Sequence, residues 1–326
     1  MWAFALAVIV ALGLCVVPRA AAAQAPSKTY RVGVLASGPE TNFAPSVKVF
    51  REALQGAGWV EGQNLALDVR YSSAYAQLQQ LAVDLVRLKV DVIAALGTPA
   101  TLAAKEATTT IPIVMESLSD VVASGLVQSL ARPGGNLTGV SGFAPELSGK
   151  RLELVREILP QAERIAVLVN RSNPVTASVL RATESAAQQM RMKLNVIDVH
   201  RRTELAPAFE AMRRERADAL VIVADPILFT ERPLIVQLAA KYRLPAIYEF
   251  RLFAESGGLL SYGPRSQERF QRMAAYVDRI LRGTNPADLP IERPTTFELV
   301  VNLKTAQGLG LTIPRSVLVR ADEIIR

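Results

Sequence analysis

Two of the side chains most used in covalent and metal chemistry are nearly absent from this sequence. Cys15 is its only cysteine and His200 its only histidine. Cys15 lies in the apolar run expected to be removed as a signal peptide, so a Cys–His pair is excluded from the mature chain, and a single histidine excludes a multi-His metal site. No Gly-x-Ser-x-Gly elbow exists to set a serine beside His200, so His200 reads as a surface residue. There is no Gly-x-Gly-x-x-Gly and no Gly-rich loop ending in Lys-Ser or Lys-Thr, and Pro133-Gly134-Gly135-Asn136 reads as a turn. The polar residues that stand out are Ser37, Thr98, Ser117, Asp120, Asn170, Asp225 and Tyr248. Each ends a short apolar run or lies just beyond one. Thr41, just past Ser37, and Tyr262, in the strand-like run 258–263, join them as candidates. Hydroxyls, an amide, carboxylates and rings can read a polar small molecule. They bind rather than transform, so no catalytic residue, metal or cofactor is assigned.

The elements that would position these residues are βαβ units. Arg31 to Ser37 is strand-like, and Val47, Phe50 and Leu54 follow at helical spacing. Leu65 to Tyr71, Asp91 to Leu96 and Ile111 to Met115 are further strands, with helical stretches between them. The second half repeats the programme. Arg164 to Asn170 echoes the run at Arg31, Asp218 to Pro226 echoes Asp91 to Pro99, and Leu244-Pro245-Ala246-Ile247-Tyr248 echoes Ile111-Pro112-Ile113-Val114-Met115. The offset is about 130 residues each time, and the prolines recur in place, which argues for two tandem lobes. The expected fold class is α/β, with two similar doubly wound parallel-sheet lobes joined by a three-segment hinge. The first lobe is expected over 28–141 plus 258–289, and the second over 142–257 plus 290–326. In an open parallel sheet, ligands bind outside the carboxyl ends of the strands. Two facing lobes would bring Ser37, Thr98 and Ser117 across a cleft from Asn170, Asp225 and Tyr248. Ser, Thr, Asn and Asp at such places also cap helices, and a cap can still touch a ligand.

Met1 to Val17 is almost wholly apolar, and Ala21 and Ala23 fit a small-x-small cleavage site. Residues 1–23 are therefore expected to be a cleaved signal peptide. The mature chain would begin at Gln24, lack any thiol and reside in the periplasm. No basic residue precedes the apolar run. The formal charge is +7, with the excess on stretches such as Arg213-Arg214-Glu215-Arg216, where acidic residues are mixed in. No aromatic-interleaved basic patch occurs, so nucleic acid is rejected as a partner. An anionic ligand or membrane surface stays open.

Several segments resemble the tryptophan/tyrosine-type ABC transporter substrate-binding protein family. They are Gly97-Thr98-Pro99, Ile111-Pro112-Ile113-Val114, and Ala131 to Val140 with its Pro-Gly-Gly-Asn-x-Thr-Gly core. In the tail they are Asn302-Leu303-Lys304-Thr305-Ala306 and Gly308 to Pro314. The resemblance spans Tyr30 to Ile325. It implies a type I periplasmic-binding-protein fold, capture of a small solute such as an amino acid, and delivery to an inner-membrane ABC permease driven by a separate ATPase. A monomer without cofactor is expected. The chain departs from the family at Ser119-Asp120-Val121, where Asp120 is kept but the usual following proline is not. A periplasmic ligand sensor or accessory receptor would share this fold, as would a rare enzyme. An anionic group on the ligand is expected, because the strand ends lead into helix N-termini. For an amino acid, Asp225 is the expected partner of the ammonium.

Overall fold

The computed structural model describes residues 28–326 apart from 118, 119, 123 and 143. The expected signal peptide, residues 1–23 with Cys15, lies outside the described residues, as does the expected start at Gln24.

The first sheet is built from β1 (Tyr30–Ser37), β2 (Leu65–Ser72), β3 (Val92–Leu96), β4 (Ile113–Ser117) and β5 (Leu137–Ser141). Its order is β2-β1-β3-β4-β5 and every pairing is parallel. Helices α1 (Glu40–Gly56), α2 (Tyr75–Arg87) and α3 (Thr98–Ala107) connect these strands. Successive residues of a strand face opposite sides, and both sides are covered here. Val34 packs with Phe50 and Leu54 of α1, while Leu35 packs with Leu78 and Leu85 of α2 and Ala104 of α3.

The second sheet holds β6 (Arg164–Val169), β7 (Lys193–Asp198), β8 (Ala219–Ile222), β9 (Ala246–Tyr248), β10 (Leu260–Pro264), β11 (Phe297–Asn302) and β12 (Glu323–Ile325). Its order is β12-β11-β10-β9-β8-β6-β7. From the β7 end, five of these strands repeat the first sheet's order. The strands paired by sequence offset, β1 with β6, β3 with β8 and β4 with β9, occupy equivalent places. Helices α4 (Ala144–Ile158), α5 (Thr176–Gln189), α6 (Leu205–Arg214), α7 (Pro226–Thr230), α8 (Arg232–Lys241) and α9 (Arg251–Glu255) belong to this half. After them come α10 (Ser266–Leu281), α11 (Leu303–Leu309) and α12 (Arg315–Arg320). The sheet is not purely parallel, because β10 and β11 form an antiparallel pair.

The crossings between lobes differ in two places from the division expected. Strand β10 was expected in the first lobe, but it is hydrogen-bonded to β9 and β11 in the second sheet. The chain crosses only after Pro264, where α10 leaves to pack on the first lobe. There Phe270, Met273 and Val277 join the core of Val34 and Phe50. The return was expected at Pro290. Instead Ile291 N–H donates to Leu130 O, and Glu292 exchanges backbone hydrogen bonds with Gly139 and Ser141, so the chain stays on the first lobe to Glu292. With the passage from β5 to α4, three segments join two lobes, and each lobe contains chain from both halves of the sequence.

Candidate functional site

The carboxyl ends of both sheets face a cavity of about 590 Å³. The first lobe contributes Asn42 and Phe43 from α1, the turn Gly97-Thr98-Pro99, Glu116 from β4, and Arg269 and Phe270 from α10. The second contributes Asn173, Asp225, Phe229, Phe250, Arg251 and Glu298.

The first-lobe wall is set by the turn from β3 into α3. Ser37 Oγ accepts a hydrogen bond from Ala100 N–H at 2.9 Å, and Thr98 Oγ1 and Ser117 Oγ lie 2.7 Å apart. Gly97 has φ +92°, and a Cβ on it would fall 2.9 Å from Ser37 Oγ. Only glycine fits both constraints. Thr98 lines the cavity, whereas Ser37 and Ser117 are buried behind it.

On the opposite wall Asp225 is both a cap and a hub. Its Oδ1 accepts from Ile227 and Leu228 N–H at 2.8 and 3.1 Å, capping α7. Its Oδ2 accepts from Tyr75 Oη–H at 2.9 Å, Asn173 Nδ2 at 3.0 Å and Asn170 Nδ2 at 3.2 Å. A carboxylate has about four lone-pair sites, so five donors fill it. Tyr75 comes from the first lobe, so this hydrogen bond spans the cleft. Burial, reinforced by the neighbouring Asp225 charge, pushes the Tyr75 phenol far above its usual range and keeps it a neutral donor. A second link spans the cleft beside it. Asn42 Nδ2 donates to Thr230 Oγ1 at 2.7 Å, and Arg232 donates to Asn42 Oδ1 at 3.0 Å. Burial lowers the Arg232 pKa, and its guanidinium lies 4.8 Å from the Phe229 ring centroid.

Arg269 and Glu116 form a buried ion pair on the first-lobe wall. Arg269 is 4% exposed, and its Nε has no hydrogen-bond partner. The guanidinium also lies 5.7 Å from the Phe270 ring centroid and 5.9 Å from that of Phe250. Phe229 meets Phe250 edge to face at 5.2 Å. The cavity thus combines a ring-lined pocket with one buried, unused cationic donor. An unused buried donor is costly unless something else accepts from it.

The remaining candidates from sequence lie elsewhere. Asn170 is buried beneath Asp225. The Tyr248 side chain is 1% exposed and stacks on Phe253 at 4.6 Å, so its ring belongs to the second-lobe core. Tyr262 packs within that lobe, 6.3 Å from Phe297. Thr41 is exposed on α1 next to the cavity residue Asn42, and Asp120 Oδ1 accepts from Val122 N–H within its own loop. His200 is partly exposed, with Nδ1 3.1 Å from Asn170 Oδ1. Sequence reasoning missed Arg269, Glu116, Tyr75 and the four phenylalanines. Glu116 carried a signal, as a carboxylate directly following the apolar run Ile113–Met115 within one strand. Among the described residues no group of three or more His, Cys, Asp or Glu is placed to hold a metal ion, and no helix is long and apolar enough to cross a membrane.

Two α/β lobes around this cavity have the type I periplasmic-binding-protein fold. The chain belongs to the ABC transporter substrate binding protein family, whose sequence model matches residues 32–325. It is similar to a tyrosine-binding protein of Clostridioides difficile, 27% identical over 265 residues, or 81% of this chain and 76% of that protein. Among solved structures it resembles a conserved domain protein of Vibrio cholerae, with a TM-score of 0.87 and 28% identity over 91% of this chain and 100% of that one. It also resembles an ABC domain in complex with L-Trp from Streptococcus pneumoniae. That TM-score is 0.86 at 25% identity, again over 91% of this chain and 100% of the other.

Proposed function

We propose that this protein is the periplasmic solute-binding component of an ABC importer and that its solute is an aromatic amino acid. The observation that carries the reading is Arg269, a buried guanidinium with a free Nε–H among phenylalanine rings. A ligand carboxylate would accept from that N–H, a charge-assisted hydrogen bond. The aromatic side chain would pack on Phe43, Phe229 and Phe250. Glu116 is the natural partner for the ammonium, because it already balances Arg269 and the pair presents opposite charges side by side to a zwitterion. Asp225, expected from sequence to hold the ammonium, is filled by five protein donors and is assigned to closing the lobes instead. The L-Trp complex and the tyrosine-binding relative agree in ligand class. Lobe closure over the solute, docking on a permease and export behind residues 1–23 complete the reading.

Titration calorimetry with L-tryptophan, L-tyrosine and L-phenylalanine tests it, with each compound's des-amino analogue alongside. At least one amino acid should bind. Its des-amino analogue should bind at least about 30-fold more weakly, because Glu116 would lose a buried charged partner. Equal binding of the pair would remove the amino-acid assignment, and no binding of any would remove the aromatic class.

A further inference from the structure

The helix-to-strand turns of the second lobe carry an unusual residue choice. The residues after α5, α6 and α8 are Arg191, Arg216 and Arg243, with φ of 55°, 55° and 52°. Such left-handed positions favour glycine, because a Cβ crowds the following carbonyl. Attraction to the helix carboxyl end does not account for the choice after α6 and α8. Arg213 and Arg214 already serve that end of α6, and Lys241 that of α8.

These turns lie on one edge of the molecule. Each leads directly into a strand, and β9, β8, β6 and β7 are adjacent and parallel. Arg243, Arg216, Arg164 and Arg191 therefore follow one another across the amino ends of four strands. Strands are about 4.8 Å apart, so the row runs roughly 15 Å. Arg191, Arg213, Arg214, Arg216 and Arg243 are all exposed. None has a carboxylate within ion-pair distance among the described residues, whereas Arg251, Arg265, Arg272, Arg282 and Arg320 elsewhere are all paired. The nearby carboxylates are partly used. Asp218 takes Arg164 and the backbone N–H groups of Glu163 and Arg164, and Glu215 takes Asn195. Glu163 offsets part of what remains. The equivalent pole of the first lobe differs, with Gly58 after α1 and Thr108 after α3. There Lys89 after α2 stands near Asp91, which pairs with Lys28.

We infer that the distal pole of the second lobe is an electrostatic docking face for an anionic phospholipid bilayer. Exposed cations in a row, all but Arg164 without a carboxylate partner among the described residues and spread over strand ends rather than set in a groove, fit a planar array of phosphates better than a folded acidic partner. The ligand cavity opens at the other end of the same strands, so docking leaves it free. Cationic residues near such a surface each add attraction that salt screens.

The test is vesicle co-sedimentation of the mature chain. One set of vesicles has equal parts phosphatidylglycerol and phosphatidylcholine, and the other is phosphatidylcholine alone. The protein should partition onto the anionic vesicles at about 50 mM salt and leave them at about 500 mM. The triple variant R191G/R216G/R243G removes three charges while giving each turn its favoured residue, so its Tm should hold or rise. Its partitioning should fall by at least about tenfold, while K89G in the first lobe stays within about twofold. Equal partitioning onto both vesicle types would overturn the inference, as would a triple variant that binds like the parent. Binding to soluble polyglutamate as strong as to the anionic vesicles would overturn the bilayer in favour of an acidic protein.

Discussion

Asp225 shows how one carboxylate can serve two elements at once. Its Oδ1 caps α7 and its Oδ2 gathers donors from both lobes. Asp225→Asn keeps the cap but turns the other oxygen into an NH2 group facing the amides of Asn170 and Asn173. Neither amide can flip freely, because Asn170 Oδ1 accepts from Ser172 N–H and Asn173 Oδ1 from Val175 N–H. Asp225→Asn should therefore cost ligand affinity nearly as much as Asp225→Ala, at least about tenfold by calorimetry. Tyr75→Phe removes only the donor that spans the cleft. Affinity should drop by roughly tenfold, the value of a hydrogen bond to a charged group, with Tm unchanged. Because burial keeps the Tyr75 phenol neutral, the loss should be the same from pH 6 to 9. Thr98 and Asp225 were legible in the sequence as strand-end residues. Arg269 was not, since an arginine in the amphipathic helix Ser266–Leu281 looks like any solvated charge until β4 is placed beside it.

Close approach of elements gives the next predictions. Gly139 in β5 has φ +132°, and a Cβ there would sit 2.2 Å from Met115 O in β4. The obstacle is backbone and cannot rotate away. Gly139→Ala should cost more than about 2 kcal/mol, read as a lower urea midpoint with the slope unchanged. Glu298 lies in β11 at the cavity edge. Burial raises its carboxyl pKa above the usual range, although Arg251 and Arg265 pull it down. The folded chain thus holds this proton more tightly than the unfolded chain does. Its contribution to stability is fully present below the ordinary carboxylate range and is lost as pH rises through the raised value. Glu298→Gln should give a small gain at neutral pH, under about 1 kcal/mol given the solvent around Arg251. The gain should vanish below about pH 4 in thermal melts. At this scale the repeat made the equivalence of strands in the two lobes legible, because Pro112 and Pro245 precede strands that occupy equivalent places. The side of the hinge for β10 was not legible. Leu260–Pro264 is compatible with either sheet by pattern, and its partner β11 comes more than thirty residues later in the chain.

The two lobes meet through three segments of chain and through side-chain links that include Tyr75 to Asp225 and, beside it at α7, Asn42 to Thr230. In this arrangement side chains bridge the cleft. Without ligand, links such as these would hold the lobes together against the gain in freedom on opening. Small-angle scattering should give a larger radius of gyration for ligand-free protein than for protein saturated with its solute. The Tyr75→Phe variant should be at least as open as the parent when empty. An unchanged radius on saturation would count against a hinged trap.

The excursion of α10 also fixes when each lobe can be finished. Phe270, Met273, Val277 and Leu289 complete the core around Val34, Phe50 and Leu54. A chain emerging from its amino end makes the first sheet early, yet the face shared by α1 stays incompletely covered until residue 289 arrives. By then most of the second lobe's strands have been made. The lobe that begins first therefore ends late, and its folding waits on the far end of the chain. A fragment of residues 28–142 should behave as a loosely packed, dye-binding species, and a separate peptide carrying 265–292 should restore its cooperative unfolding. Under the proposed export, such a delay would keep the chain unfolded long enough to be threaded through a narrow pore.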